Sequence, residues 1–301
     1  ETFGAESNDA LPVAGTLINS AGTFDTNANP VTVTGLTTVS GGTYSASTAT
    51  QTFNGGLTIS GGTFTSGASG AVDVNGAFTL SSGTFTQATS TLNVSGNFAI
   101  SSGATFTKST NSSALTLNGT TQNISDANAT TNDLGVVSTS GTGTATMTNN
   151  LKVTSLSIGN GTTFNLGAGS YTLTITGTGT PLTTNTTGTF NAGTGSTVLY
   201  TGATTATNIA TVAYVNLTLT PTAATTYSLL GNTTLTGNLT ISTNATLDTT
   251  LANSYSLTVA GNFSNSGTFT ARSGTVTLNG SSHAVSGSSS FNNLTFTAPQ
   301  T

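Results

Sequence analysis

Two short motifs recur along this chain at a common interval, and that interval restricts the possible folds more than any other feature. A Gly-Thr-aromatic motif, varied to GATF in its last copy, places an aromatic residue at every 20th or 21st position. These residues are Phe24, Tyr44, Phe64, Phe85 and Phe106. A short alternating strand closed by glycine recurs with a similar step and ends at Gly35, Gly55, Gly76, Gly96 and Gly119. A period of about 20 to 50 residues indicates a repeat architecture, in which each unit buries its apolar face against its neighbours.

The segment VDVNG, residues 72–76, shows how one repeat folds. Val72 and Val74 share one face of a strand and Asp73 and Asn75 share the other, because strand side chains alternate with period two. The alternation resumes twice before the next repeat, so we expect three short strands and three corners in each repeat. Corners need small residues or residues that tolerate left-handed conformations, which explains their glycine, asparagine and serine.

Successive repeats, laid on each other, align their inward residues in columns. The first column is Val33, Phe53, Val74, Val94 and Leu117, the second is Val39, Ile59, Leu80 and Ile100, and the third is the aromatic series. If each repeat is one turn, equivalent strands lie parallel at about 4.8 Å and bond to the turns above and below. The sequence therefore predicts an all-β fold, a single parallel β-helix (β-solenoid) with 20 or 21 residues per coil.

The length of the repeat also bears on the hand and the number of turns. It exceeds the three hexapeptides of a left-handed coil, and the hexapeptide pattern is absent, so we expect a right-handed coil. About fifteen turns would accommodate the chain at this period. We expect three parts: residues 1–20, an N-terminal segment at the open end of the rod; residues 21–125, regular coils; and residues 126–301, coils with loop insertions that continue the same solenoid. Within the last part, residues 126–150 and 178–188 are predicted to form loops that leave the coil.

Composition excludes several kinds of partner. Charged residues are 4% of the chain, so hydroxyl and amide groups must keep it soluble. The net charge is −5 and the cations are Lys108, Lys152 and Arg272, which gives no basic surface for nucleic acid. Cysteine is absent, so disulfides and thiolate metal sites are excluded. No apolar run approaches the roughly 18 residues that a membrane-spanning helix needs.

Catalysis on a β-helix typically needs paired carboxylates, as in carbohydrate-cleaving enzymes. Asp126 and Asp133 are the only two carboxylates close together in the body of the chain. We interpret them as solvated loop residues. Asp73 is expected to face outward without a partner, and His283, the only histidine, to lie in a turn. Lys108 and Arg272 are interpreted as exposed residues. We therefore predict no enzyme, and no catalytic, cofactor-binding or metal-binding residues.

Ice binding is an alternative function, because regular outward rows of threonine on a β-helix face can order water. The outward pairs beside the first column are Thr32/Thr34, Thr52/Asn54, Asp73/Asn75, Asn93/Ser95 and Thr116/Asn118. Because they do not form a uniform threonine array, they favour an ordinary polar surface.

The repeats GNFSNSGTFTARSGTVTLNG (residues 261–280) and SFNNLTFTAP (residues 290–299) resemble those of large bacterial cell-surface β-solenoid proteins. The nearest groups are filamentous-haemagglutinin-like adhesins and autotransporter passenger regions, and the resemblance covers the chain from about residue 20. It implies a secreted protein of the extracellular space or cell surface that serves adhesion or scaffolding. It also implies surface glycans or a host or neighbouring cell as partners. A carbohydrate-active β-helix enzyme and a carbohydrate- or ice-binding module are the alternatives.

The two terminal segments lead to a prediction about assembly. Residues 290–301 match material that continues into another coil, and the N-terminal residues join the coil pattern only near Leu17. Exposed strand edges invite pairing with another chain, and a heterologous contact that does not close builds a filament. We predict head-to-tail polymers in which Phe291, Leu294 and Phe296 contact the next subunit near Leu11, Val13 and Leu17. The alternative is that both ends are cuts in a longer chain.

Overall fold

The computed structural model describes residues 2–4, 10–109, 113–250 and 252–297, with side chains from residue 10 onward. In this part of the chain the fold is all-β, and parallel sheets stack as a β-solenoid of about 13 turns. The predicted fold class is therefore confirmed, while the right-handed coil stays a prediction. The turns are fewer than about fifteen because some later coils are longer than 21 residues. Leu239 pairs with Phe263, for example, and Thr172 pairs with Thr197.

Contacts divide the chain into two compact units. The first comprises Glu1–Thr154, Ile158–Phe164 and Asn185–Thr189, and the second comprises Ser155–Ser157, Asn165–Thr184 and Phe190–Thr301.

Short strands separated by corners make up both units. In chain order the earlier strands are β1 Thr2–Gly4, β2 Leu11–Val13, β3 Leu17–Asn19, β4 Thr23–Asp25, β5 Val31–Val33, β6 Thr37–Val39, β7 Thr43–Ser45, β8 Gln51–Phe53, β9 Leu57–Thr65, β10 Val72–Val74, β11 Phe78–Gln87, β12 Leu92–Val94, β13 Phe98–Ile100, β14 Thr105–Lys108, β15 Ala114–Leu117, β16 Thr121–Asp126, β17 Val136–Thr139, β18 Thr144–Met147 and β19 Leu151–Val153. The later strands are β20 Ser155–Ile158, β21 Thr163–Asn165, β22 Thr172–Ile175, β23 Leu182–Thr184, β24 Thr189–Asn191, β25 Thr197–Tyr200, β26 Thr207–Ile209, β27 Ala213–Tyr214, β28 Asn216–Leu219, β29 Thr225–Leu229, β30 Thr233–Leu235, β31 Leu239–Ile241, β32 Ala245–Asp248, β33 Leu257–Val259, β34 Phe263–Asn265, β35 Thr268–Thr270, β36 Thr275–Leu278, β37 Val285–Gly287 and β38 Asn293–Phe296.

The first unit has the predicted columns. Parallel pairing brings Val33, Phe53, Val74, Val94 and Leu117 into one register and Val39, Ile59, Leu80 and Ile100 into another. All nine side chains are buried. Outward residues between them are partly exposed, as the period of two requires.

The aromatic ladder is confirmed as the third column. Phe64 lies between Tyr44 and Phe85, with ring centroids 4.6 Å and 5.2 Å away and planes within 16° of parallel. Phe106 stacks on Phe85 at 5.4 Å. Phe78, from another column, meets Phe85 edge-on at 5.1 Å. Offset-stacked and edge-on rings are the favourable arrangements for aromatic quadrupoles, so the ladder adds to the stability that burial gives.

The second unit follows the same principle with less regular coils. Its columns run through Leu217, Leu239, Phe263 and Val285, through Tyr227, Leu247 and Phe269, and through Leu235, Val259, Leu278 and Phe296. Tyrosines replace part of the apolar bulk here. Tyr227 donates its buried hydroxyl to the carbonyl oxygen of Gly202 at 2.7 Å, so its polar end is satisfied.

Several segments fold more regularly than their sequence suggests. Residues 136–147, which fall in a predicted loop, form β17 and β18, and these pair with β15 and β16. That prediction is wrong there, because buried and outward residues alternate along both segments, with Val137, Thr139, Ala145 and Met147 inward. The irregular piece is residues 127–135. Residues 178–188 likewise contain β23. Within residues 1–20, β2 already pairs with β5, while positions 1 and 5–9 lie outside the described residues.

Candidate functional site

The structure places the two candidate acids, Asp126 and Asp133, in different surroundings. Asp126 ends β16 and points inward, where it is 1% exposed. Asp133 is half-buried, and its Oδ1 accepts bonds from the backbone N–H of Gly135 at 2.8 Å and the hydroxyl of Thr154 at 3.3 Å. The interpretation of both as solvated loop residues is wrong for Asp126, because a 26-residue step from Phe98 to Ile124 brings it into an inward position.

Burial governs the chemistry of Asp126. Burial raises the pKa of its carboxyl, and bonds from the backbone of Asn128 and the side chain of Asn132 act in the opposite direction. Those donors reach Oδ1 at 2.8 Å and 3.2 Å. Among the described residues, Oδ2 has no hydrogen-bond partner. The carboxyl is thus enclosed, with one oxygen bonded and the other without a partner in the described part of the chain.

Lys108 is also less exposed than expected. It follows Phe106 by two positions on β14, so it points inward above Gln87, with which it pairs. Its ammonium donates to the carbonyl oxygen of Ser113 at 2.6 Å. Burial lowers the pKa of Lys108 to about 8, against the opposing effect of the negative charge of Asp133. The prediction of an exposed residue is therefore wrong for Lys108.

Arg272 and Asp73 both have partners that the sequence analysis did not find. The guanidinium of Arg272 donates to both carboxylate oxygens of Asp248, at 3.0 Å and 2.7 Å. This hydrogen bond lowers the pKa of Asp248. Asp73 accepts a bond at 2.7 Å from the side-chain amide of Asn93, one coil away. Each of these acids therefore serves contacts between coils.

His283 lies in the connection between β36 and β37 and packs against the last strand. Its ring is parallel to that of Phe296, with 5.8 Å between centroids. Neither ring nitrogen has a hydrogen-bond partner within the described residues. The stacking of its ring on Phe296 is therefore the contact that positions the His283 side chain.

The described residues contain no group of three or more His, Cys, Asp or Glu side chains that could hold a metal ion. In the same part of the chain, no helix is long and apolar enough to span a membrane.

The outward face beside the first column is held together by side-chain bonds between coils. Asn75 donates to Asn54 at 2.7 Å, and Ser95 donates to Asn118 at 2.9 Å. The bond between Asn93 and Asp73 is a third contact of this kind. Part of the hydrogen-bonding capacity of this face is therefore satisfied by neighbouring side chains of the same face.

A second outward face is more regular, and the sequence analysis missed it. Two threonines flank each ladder phenylalanine on three successive coils, as Thr63 and Thr65, Thr84 and Thr86, and Thr105 and Thr107. We call these six residues the threonine ladder. Their hydroxyls make no hydrogen bond to any described residue, and their side chains are half-buried or exposed. The repeated triplet Thr-Phe-Thr was the signal, because neighbours of an inward residue must point outward.

The threonine ladder has nearly constant spacing. Threonines two apart on one strand are about 6.7 Å apart, and those on adjacent coils are about 4.8 Å apart. The stacked rings beneath them keep the three strands in register. The result is two regular rows of outward threonine side chains.

The six predicted assembly residues lie near the two ends of the described chain: Leu11 and Val13 on β2, Leu17 on β3, Phe291 just before β38, and Leu294 and Phe296 on β38. Leu294 and Phe296 on β38 are 39% and 50% exposed, although Val276 and Leu278, their partners on β36, are buried. Phe291 is half-buried against Phe263 and Phe269. The remaining three, Leu11, Val13 and Leu17, are half-buried.

Comparison of the chain with protein-family models, curated proteins and solved structures finds no match.

Proposed function

We propose that this protein is an extracellular structural or adhesive surface protein that assembles head to tail into filaments. The observation that carries the proposal is the exposed edge of β38. Leu294 and Phe296 continue two apolar columns whose preceding members are buried, so this surface has the composition of a solenoid interior. Apolar side chains in such columns are stabilised by another coil.

The occupant that we propose for this edge is β2 of a second copy. β38 pairs with β36, and no other described strand pairs with it. The segment Leu11–Val13 has the same alternation and pairs in its own unit as a parallel strand. Stacked in parallel register, Leu11 would cover Leu294 and Val13 would cover Phe296. Such an interface is heterologous and does not close, so repetition builds a filament.

The polar surface supports a role outside the cell. Hydroxyl and amide side chains dominate it, and charged residues are 4% of the chain. Groups of this kind form hydrogen bonds with sugar hydroxyls, so surface glycans or a neighbouring cell are the partners that we propose. A catalytic role is not proposed, because Asp126 is enclosed and Asp133 is bonded to its own turn.

Aspartate substitutions on the exposed edge of β38 test whether this edge mediates head-to-tail assembly. We expect purified wild-type protein to sediment as polymers and to form filaments in electron micrographs. The double variant Leu294→Asp, Phe296→Asp should remain monomeric, since two carboxylates would be buried at each contact. Leu230→Asp is the matched control, because Leu230 is similarly exposed at another position.

Two results would contradict the assembly proposal. Wild-type protein that stays monomeric at every concentration would show that the edge of β38 does not bind a second copy. Undiminished filaments from the double variant would show that β38 is not the contact.

Ice binding is a second candidate function, and the threonine ladder favours it. The array on the third column is uniform across three coils, unlike the mixed face beside the first column. Its unpartnered hydroxyls can each hold a water, and their regular spacing lets neighbouring waters bond to one another.

A thermal hysteresis assay tests this candidate. Wild-type protein should separate the freezing and melting points, and Thr86→Lys should abolish the effect by interrupting the regular threonine rows. Thr34→Lys, on the other outward face, is the control and should leave it unchanged. No hysteresis in the wild type, or equal loss in both variants, would count against ice binding.

A further inference from the structure

Asp126 occupies a position at which earlier coils carry an apolar side chain. It stacks on Ile100, which follows Leu80 and Ile59 in the second column. The pairing of β16 with β18 stops at Ile124, so Asp126 lies beyond the paired part of the strand on that side. A carboxyl group is thus enclosed at the point where the column meets the irregular residues 127–135.

One oxygen of this carboxyl organises those residues. Oδ1 accepts from the backbone of Asn128 and the side chain of Asn132. The side-chain amide of Asn128 in turn donates to the carbonyl oxygens of Ser101 at 2.8 Å and Ala104 at 3.1 Å, in the coil beneath. The carboxyl therefore connects the loop to the preceding turn through a short chain of bonds.

We propose that Asp126 is a proton-operated latch that holds the loop of residues 127–135 on the coil. The protonated carboxyl keeps Oδ1 as an acceptor and brings no charge into the apolar column. The ionised carboxyl places charge on Oδ2, which has no donor among the described residues. An unpaired buried charge is costly, and opening the loop to water removes that cost.

The sign of the pH dependence follows from this geometry. Burial raises the pKa of Asp126, so the closed loop binds the proton more tightly than the open one does. The stabilisation is complete below the ordinary aspartate value of about 3.9 and is lost as the pH rises through the raised value. The latch closes in acid and loosens toward neutral pH.

Other charged groups on adjoining elements must be separated from this effect. Asp133 lies in the loop itself, Lys108 on β14 interacts with Asp133, and Lys152 on β19 accepts a bond from Leu134 through its backbone oxygen. β13 and β18 carry no titratable side chain. Asp133→Asn is therefore the matched control for the loop.

Proteolysis within residues 127–135 tests the latch. Between pH 4 and pH 8, the cleavage rate of wild-type protein, divided by that of a loop peptide, should rise about tenfold. Asp126→Asn, which resembles the protonated acid, should change less than about twofold, and Asp133→Asn should behave as the wild type. Equal pH dependence in the wild type and Asp126→Asn would overturn the proposal.

A measurement on the wild-type protein keeps the proposal testable if that variant does not fold. The chain has six aspartates, so carboxyl-carbon labelling gives six NMR signals. One signal should titrate above the others, together with the amide signals of Asn128 and Asn132. If the carboxyl that titrates with those amides does so at or below the ordinary aspartate value, the latch is refuted.

Discussion

Replacement of Phe85 by alanine is the sharpest perturbation of the aromatic ladder. Its ring is fully buried, with Phe64 at 5.2 Å and Phe106 at 5.4 Å on its two faces and Phe78 edge-on at 5.1 Å. Core Phe→Ala changes cost about 3 to 5 kcal/mol, and aromatic pairs contribute about 0.5 to 1.5 kcal/mol each beyond area burial. With three ring neighbours, we expect Phe85→Ala to lose about 4 to 5 kcal/mol, near the top of the range.

Urea denaturation followed by far-ultraviolet circular dichroism measures this loss. Phe24→Ala is the matched control, since Phe24 belongs to the same column but is only half-buried. It should lose at least about 2 kcal/mol less than Phe85→Ala, because less area returns to water. Hydrogen exchange should show lost protection in the coils that contain Phe64 and Phe106, since each coil contacts its neighbours.

A loss below about 1 kcal/mol for Phe85→Ala, or equal losses for both variants, would refute the ladder as a source of stability.

Three further variants test separate features. Lys108→Met should remove a pH dependence of the melting temperature. Because the pKa of Lys108 is lowered in the folded protein, the wild type loses stability as the pH falls from about 10.4 toward about 8. An unchanged pH profile in the variant would contradict burial of the ammonium. Gly83→Ala should lower the melting temperature more than Gly103→Ala does. Both glycines have positive φ, but only at Gly83 would a Cβ collide with the carbonyl oxygen of Gly62. Equal effects would contradict the close approach of the Gly83 and Gly62 backbones. Arg272→Ala should make the stability of the protein less sensitive to salt and to acid. The ion pair lowers the pKa of Asp248, so it contributes stability that is lost as the pH falls through that lowered pKa. Unchanged sensitivity would show that the ion pair contributes nothing to stability.

The columns of the first unit could be predicted because one period governs them. Each inward residue from Val33 to Leu117 follows from the repeat length and the alternation of strand side chains. Lys108 could have been placed inward by the same alternation from Phe106. The bond from its ammonium to the carbonyl oxygen of Ser113 satisfies the charge at that inward position.

Asp126 could not be placed from sequence. The step from Phe98 to Ile124 is 26 residues, and local composition does not show which corner takes the extra residues. The partner of Asp73 could have been found, since Asn93 was already its equivalent one coil away. The threonine ladder was missed because outward pairs were compared on one face alone.

The proposal of a cell-surface filament is tested most directly by immunogold electron microscopy of intact cells that produce this chain. The account predicts gold particles in rows along extended fibres outside the cell, and loss of those rows with Leu294→Asp, Phe296→Asp. Label confined to the cell interior, or dispersed without fibres in the wild type, would contradict it.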